Sequence, residues 1–254
     1  MSDAVLVERR GFVQVVTINR PEAKNAVNRA VAQGIADAME ELDSSDELRV
    51  AVLTGAGGGF CSGMDLKAFL TGEVPHIEGR GFGGLTSAPP RKPVIAAVEG
   101  FALAGGFELL LACDLVVAGE GAKLGTPEVK RGLVAAAGAA MLLTERVPYA
   151  VALEVLLTGE PLLAPRAYEL GLVNKITADG SALSTAVELA EKIAANGPLA
   201  VAVTKQIARA ARDWTFEEGW QKQAELIGPV FISEDAREGA TAFVEKRPPV
   251  WKGR

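Results

Sequence analysis

The chain has 254 residues, 49% of them hydrophobic and 23% charged, the composition of a globular protein of one or two domains with a sizeable core and not of a disordered chain. With 26 Lys and Arg against 32 Asp and Glu the net charge is −6, which argues against nonspecific nucleic-acid binding. One His and two well-separated Cys exclude a multi-His metal site and argue against a disulfide framework or a Cys zinc site, so carboxylates and backbone groups are left to carry any chemistry.

In chain order, Phe12 to Ile18 is rich in β-branched residues and reads as a strand, broken by Asn19-Arg20-Pro21. From Asn28 to Leu42 the apolar residues Val31, Ile35, Met39 and Leu42 recur at helical spacing. Val50 to Leu53, Pro93 to Val98 and Asp114 to Ala118 read as buried strands, and a short strand is expected at Val173 to Ile176. Helices are expected over 135–146, 150–157, 165–170, 181–196, 199–212 and 233–246, with another opening at Thr215. Thr185 with Glu188, and Thr215 with Glu218, have capping-box spacing. Strands alternating with helices imply an α/β sheet with crossover connections, followed by a mostly helical part from about residue 200. Thr71 to Arg91 is rich in Gly and Pro with weak periodicity, the mark of a functional or mobile loop. No apolar run is long enough for a membrane helix. The first ten residues are polar and lack a segment of signal-peptide length, so a cytoplasmic protein is expected.

Four local features can carry chemistry. Gly57-Gly58-Gly59-Phe60-Cys61-Ser62-Gly63-Met64-Asp65-Leu66 follows a strand and precedes a short helical stretch. It is either a plain turn or a display of backbone N–H groups. In Gly100-Phe101-Ala102-Leu103-Ala104-Gly105-Gly106-Phe107-Glu108 a Gly pair opens a helix. Its free N–H groups suit an anion or a developing oxyanion, although small residues are equally needed for close packing. The spacing is not that of a dinucleotide fingerprint. Glu108 stands just before four apolar residues. It either stabilises the helix dipole or, if partly buried, has a raised pKa suited to acid–base work. Glu128, in Gly125-Thr126-Pro127-Glu128, reads alone as a surface carboxylate, but two carboxylates at one cavity are what addition or elimination of water requires. His76 reads as solvated, Cys113 as core and Cys61 as lacking a nearby base.

Asn19-Arg20-Pro21…Asn25-Ala26, Phe60 to Leu66, Gly105-Gly106-Phe107-Glu108, Cys113-Asp114, Thr126-Pro127-Glu128 and Leu170-Gly171-Leu172-Val173, taken in this order, resemble the crotonase family of enoyl-CoA hydratases and isomerases over nearly the whole chain. The ending Pro249-Val250-Trp251-Lys252-Gly253-Arg254 is similar to the carnitinyl-CoA dehydratases of that family. The resemblance implies a spiral core of repeated ββα units over residues 1–199 and a helical trimerisation region over 200–254. It implies a homotrimer or dimer of trimers acting on acyl-CoA, with no membrane or nucleic-acid partner. No metal or separate cofactor is implied, coenzyme A being part of the substrate.

By the same resemblance the thioester oxygen sits between the N–H groups of Met64 and Gly105, and Glu108 and Glu128 are the hydratase glutamates. Contacts to the substrate's CoA moiety fall on Ala23, Lys24, Ala26, Ser62, Gly63, Asp65, Leu66 and Ala104. The expected activity is that of a hydro-lyase, reversible syn-addition of water to a 2-enoyl-CoA. Carnitinyl-CoA dehydration, enoyl-CoA isomerisation and non-catalytic acyl-CoA binding are the alternatives. One departure is visible: many hydratases carry a Pro-Gly-x-Gly-Gly stretch where this chain has Val134-Ala135-Ala136-Ala137-Gly138-Ala139-Ala140.

Overall fold

The computed structural model describes residues 3–254. Strands β1 (Val5–Arg10) and β2 (Val13–Ile18) form an antiparallel hairpin turned at Gly11, whose φ is 59°. Helix α1 (Arg29–Ser44) is capped by Asn28, whose side chain accepts a 3.1 Å hydrogen bond from the Val31 amide. It leads to β3 (Val50–Gly55), α2 (Leu66–Leu70) and a small hairpin of β4 (His76–Ile77) and β5 (Gly81–Phe82). Next come β6 (Val94–Val98), β7 (Phe101–Leu103) and α3 (Gly105–Ala112), then β8 (Leu115–Gly119), β9 (Lys123–Gly125), α4 (Ala139–Arg146) and α5 (Tyr149–Thr158). The remainder is β10 (Leu162–Leu163), α6 (Ala164–Glu169), β11 (Lys175–Thr177), α7 (Ala182–Ala194), α8 (Pro198–Ala210), α9 (Phe216–Phe231) and α10 (Glu234–Glu245).

The main sheet has six strands in the order β1-β2-β3-β6-β8-β11, parallel from β2 onward. Its inner strands are apolar runs because both faces are covered. Side chains alternate between the faces. Ala51, Leu53, Ala96, Val98, Val116 and Ala118 join one core with α1 and α3. Val50, Val52, Ile95, Ala97 and Val117 join a second core with α7. The face of α7 is Ala182, Ala186, Ala190 and Ala194, four small residues at helical spacing that let it lie close on the sheet.

A smaller sheet, β10-β9-β7, runs beside the first, and Cys61 extends it through a parallel bridge to Ala102. The chain therefore passes through both sheets repeatedly: β3 to Cys61 to α2, β6 to β7 to α3, and β8 to β9 to α4. Cys61, Ala102 and Leu124 stack at the centre of these turns and are fully buried. Each turn delivers the start of a helix or a tight loop to one edge of the molecule, and that edge holds the candidate site.

The structure adds one strand that the sequence reading lacked and corrects three expectations. β1 carries the mostly exposed Leu6, Val7, Glu8, Arg9 and Arg10, so it shows no alternation, and hydrogen bonding to β2 makes it a strand. Helix α4 begins at Ala139 and not at 135, because the amides of Ala137 and Ala139 turn to a side chain described below. Thr185 and Glu188 lie inside α7, whose cap residue Ser181 makes no side-chain cap bond, whereas the Thr215–Glu218 capping box forms. The late strand is displaced to Lys175–Thr177, where it pairs with β8. The expected division at 199/200 falls in the first turn of α8.

Candidate active site

The first wall is the loop after β3. Asn25 is buried with its side-chain amide donating to the carbonyls of Ala56 (2.8 Å) and Gly59 (2.7 Å). The Ser62 amide donates to the Lys24 carbonyl at 3.1 Å. These bonds draw the turn of Ala23, Lys24 and Ala26 against Ser62 to Leu66, so two candidate CoA-binding segments become neighbours. Lys24 and Leu66 are exposed, while Ala23, Ala26, Ser62 and Asp65 are half-buried. Asp65 shapes the loop itself, capping α2 through the Lys67 and Ala68 amides and pairing with Arg20 at 2.9 Å.

Gly63 has φ 103°, and a Cβ on it would stand 2.8 Å from Cβ of Ala104 and 3.1 Å from N of Gly105. Only glycine lets this loop abut the start of α3. Val27 holds the loop in register, donating to Gly63 O at 2.8 Å and accepting from the Asp65 amide at 2.9 Å. The amides of Met64 and Gly105 take no part in these bonds, and neither has a backbone acceptor among the described residues.

The second wall is α3, all eight of whose residues are buried. Ala104 turns the chain into the helix at φ 51°, ψ −130°, a conformation that costs an alanine energy and is typical of functional turns. A Cβ at Gly106 would run into the Cys61 carbonyl. The glycine pair thus serves close packing as well as leaving N–H groups at the helix start.

One turn along α3, Glu108 is only 3% exposed. Its Oε1 accepts from the amides of Ala137 (2.6 Å) and Ala139 (3.2 Å). Burial pushes its pKa up to about 6, against the pull of those amides, and the charge of Glu128 adds to the rise.

Glu128 stands on a 3-10 turn, Pro127–Arg131, and is half-buried. Burial raises its pKa as well, and the Arg131 cation opposes that rise. Its Oε2, and Oγ1 of Thr126, are buried with no hydrogen-bond partner. A buried carboxylate oxygen without a donor is a group held ready for something other than the fold.

The structure brings Gly63, the neighbour of Met64, against Gly105, and Glu108 close enough to Glu128 to feel its charge. His76 is exposed, and Cys61 and Cys113 are buried with pKa values pushed up to about 12, which leaves neither thiol reactive. Sequence reasoning missed Phe82, whose ring tip rests on Gly105, and the Ala137 and Ala139 amides, hidden in a stretch that looked helical. Gly81, Gly83 and Gly84, all at positive φ, were the one available signal that the Phe82 segment packs tightly. Among the described residues, no three His, Cys, Asp or Glu side chains group as metal ligands, and no helix is long and apolar enough to cross a membrane.

A family model described as enoyl-CoA hydratase/isomerase matches residues 8–254. The chain belongs to that family. Enoyl-CoA hydratase EchA19 of Mycobacterium tuberculosis is 42% identical, the match covering 98% of this chain and 96% of that protein. Carnitinyl-CoA dehydratase of Proteus mirabilis is 39% identical over 100% of both chains. A crystal structure of enoyl-CoA hydratase EchA1 from Mycobacterium marinum superposes with a TM-score of 0.98 at 56% identity, covering 100% of both. Membership of the enoyl-CoA hydratase/isomerase family thus accounts for the α/β fold with its paired sheets.

Proposed function

We propose that the chain is an enoyl-CoA hydratase that adds water reversibly across the C2–C3 double bond of a 2-enoyl-CoA, giving a 3-hydroxyacyl-CoA. The observation that carries this reading is a buried Glu108 and a half-buried Glu128 whose Oε2 has no donor, with the Met64 and Gly105 amides left without backbone acceptors among the described residues. The thioester oxygen accepts from the Met64 and Gly105 amides, which polarise the conjugated system and stabilise the enolate-like transition state. One such donor is worth about 2.7–4 kcal/mol. Glu108, ionised and held by two amides, takes a proton from water as the oxygen bonds to C3. Glu128 supplies the proton to C2 from the same face, and the pair returns to its starting state by exchanging one proton.

The CoA moiety of the substrate is assigned to Ala23, Lys24, Ala26, Ser62, Gly63, Asp65, Leu66 and Ala104, and no further cofactor is required. Residues 200–254 are proposed as the trimerisation region of a cytoplasmic homotrimer or dimer of trimers, set against a spiral core of residues 1–199. Exposed Phe216, Trp220, Phe231, Ile232 and Phe243 support that assembly, since all five lie on α9, α10 or the turn between them and an assembly would cover apolar surface that a monomer leaves to water. Carnitinyl-CoA dehydration remains the second reading, favoured by the full-length relative at 39% identity.

The test follows the enoyl-thioester absorbance with crotonyl-CoA, wild type beside Glu128→Gln. Rapid loss of the band with wild type and not with the variant is the expected result. A stable band with crotonyl-CoA but turnover of carnitinyl-CoA transfers the assignment to the dehydratase. Binding of acyl-CoA without turnover of either leaves a non-catalytic binder.

A further inference from the structure

The segment Thr71 to Arg91 is seated firmly where Phe82 lies. The Gly83 amide donates to the Pro75 carbonyl at 2.9 Å, and Phe82 pairs with His76 across the β4–β5 hairpin. Leu85 is fully buried. A Cβ at Gly83 would stand 2.8 Å from Cδ2 of Leu109, and one at Gly84 would strike the Ala32 carbonyl and stand 2.8 Å from N of Ala36. The hairpin end is therefore pressed onto α3 and α1 at once, with no slack for retreat.

On α3, Gly105, Glu108 and Leu109 share a face, because residues three and four apart stack along a helix. Gly83 covers Leu109. Phe82 covers Gly105: a Cβ there would stand 2.5 Å from both Cε1 and Cζ of the ring. The half-buried ring thus stands against Gly105 at the start of α3, one helical turn from Glu108. A thioester oxygen held by the Gly105 amide would bring C1 and C2 of the acyl group towards this ring.

Resting on the acyl-CoA reading above, we propose that Phe82 is a specificity-determining residue. It limits acyl bulk next to the thioester, so the preferred substrates are 2-enoyl-CoAs unsubstituted at C2. A methyl branch at C2 would have to displace a ring backed by glycine contacts, and packed apolar walls yield poorly.

The experiment pairs a binding readout with a kinetic one. Dissociation constants of butanoyl-CoA and 2-methylbutanoyl-CoA, which cannot be hydrated, are measured for wild type, Phe82→Ala and Phe82→Leu. kcat/KM is measured for crotonyl-CoA and 2-methylcrotonyl-CoA. One methyl group in a tight apolar site discriminates by about tenfold or more. Wild type is expected to prefer the straight chain to that degree in both readouts, Phe82→Leu less, and Phe82→Ala least. A wild type that does not discriminate, or a folded Phe82→Leu and Phe82→Ala with the wild-type ratio, overturns the proposal. Should Phe82→Ala fail to fold, Phe82→Leu decides alone. Selective binding without turnover upholds Phe82 and removes the hydratase reading, whereas binding of neither thioester removes both.

Discussion

Glu108 and Glu128 stand in segments of opposite character. Glu108 projects from a helix with every residue buried and is tied by one oxygen to two amides. Glu128 projects from a five-residue 3-10 turn with no fully buried residue, and one of its oxygens is buried without a donor. Desolvation raises both pKa values, which favours proton exchange by either carboxylate. The difference lies in freedom. A carboxylate pinned by two amides keeps its orientation and can hold a water in one place, while one with an oxygen that has no donor can carry a proton to carbon. Two residues of one chemical type acquire different roles from their surroundings.

The largest test of this contrast is catalytic. Glu108→Gln and Glu128→Gln should each lower kcat by about 10²- to 10⁴-fold in the crotonyl-CoA assay, and the double variant should lose far less than the product, since the two act as one unit. A variant that keeps most of its activity removes that carboxylate from the mechanism.

Stability should separate what activity does not. Glu108→Ala strips the acceptor from the Ala137 and Ala139 amides and should cost roughly 1–3 kcal/mol per unsatisfied buried donor. Glu128→Ala removes a buried oxygen that bonds to nothing and should cost markedly less. Equal losses in denaturant unfolding would show that the two segments hold their carboxylates alike.

The pH dependence sharpens the comparison further. In the fold Glu108 titrates at about 6, above its ordinary 4.5, so the folded state binds its proton more tightly than the unfolded chain does. Its contribution to stability is present at low pH and is lost as pH rises from 4.5 through about 6, a decline that Glu108→Gln should remove from the melting temperatures. As the general base it must be ionised, so kcat/KM should rise through an acid limb near pH 6. The smallest effect is expected of Arg131→Gln. Losing a cation that opposes the rise of Glu128 should keep this proton donor protonated to higher pH and so move an alkaline limb of kcat/KM upward, with little change in maximal rate.

Much of the fold is legible in the chain because the strong signals are local. The β-branched run of β2, the helical spacing of Val31, Ile35, Met39 and Leu42, and the Thr215–Glu218 box each specify an element from residues within one or two turns of one another. β7 and β9 were not legible, since three residues are too few to show a period of two. The Ala-rich stretch before α4 reads as helix by composition, yet Ala137 donates to a carboxylate 29 residues away. Tertiary bonding overrides local propensity there.

The sequence by itself determined the family, the order of the loops, and which residues stand where the resemblance expects two glutamates and two amides. Gly63 and Gly106 have no room for a side chain, because a Cβ there meets a neighbouring segment, and at Gly105 a Cβ would meet the Phe82 ring. Tertiary structure alone decided that Glu108 is desolvated and pinned, that an oxygen of Glu128 is left free, and that Phe82 leans on Gly105. Desolvation, hydrogen bonding and close contact at this site arise between segments many residues apart, and no local pattern in the chain encodes which of them will meet.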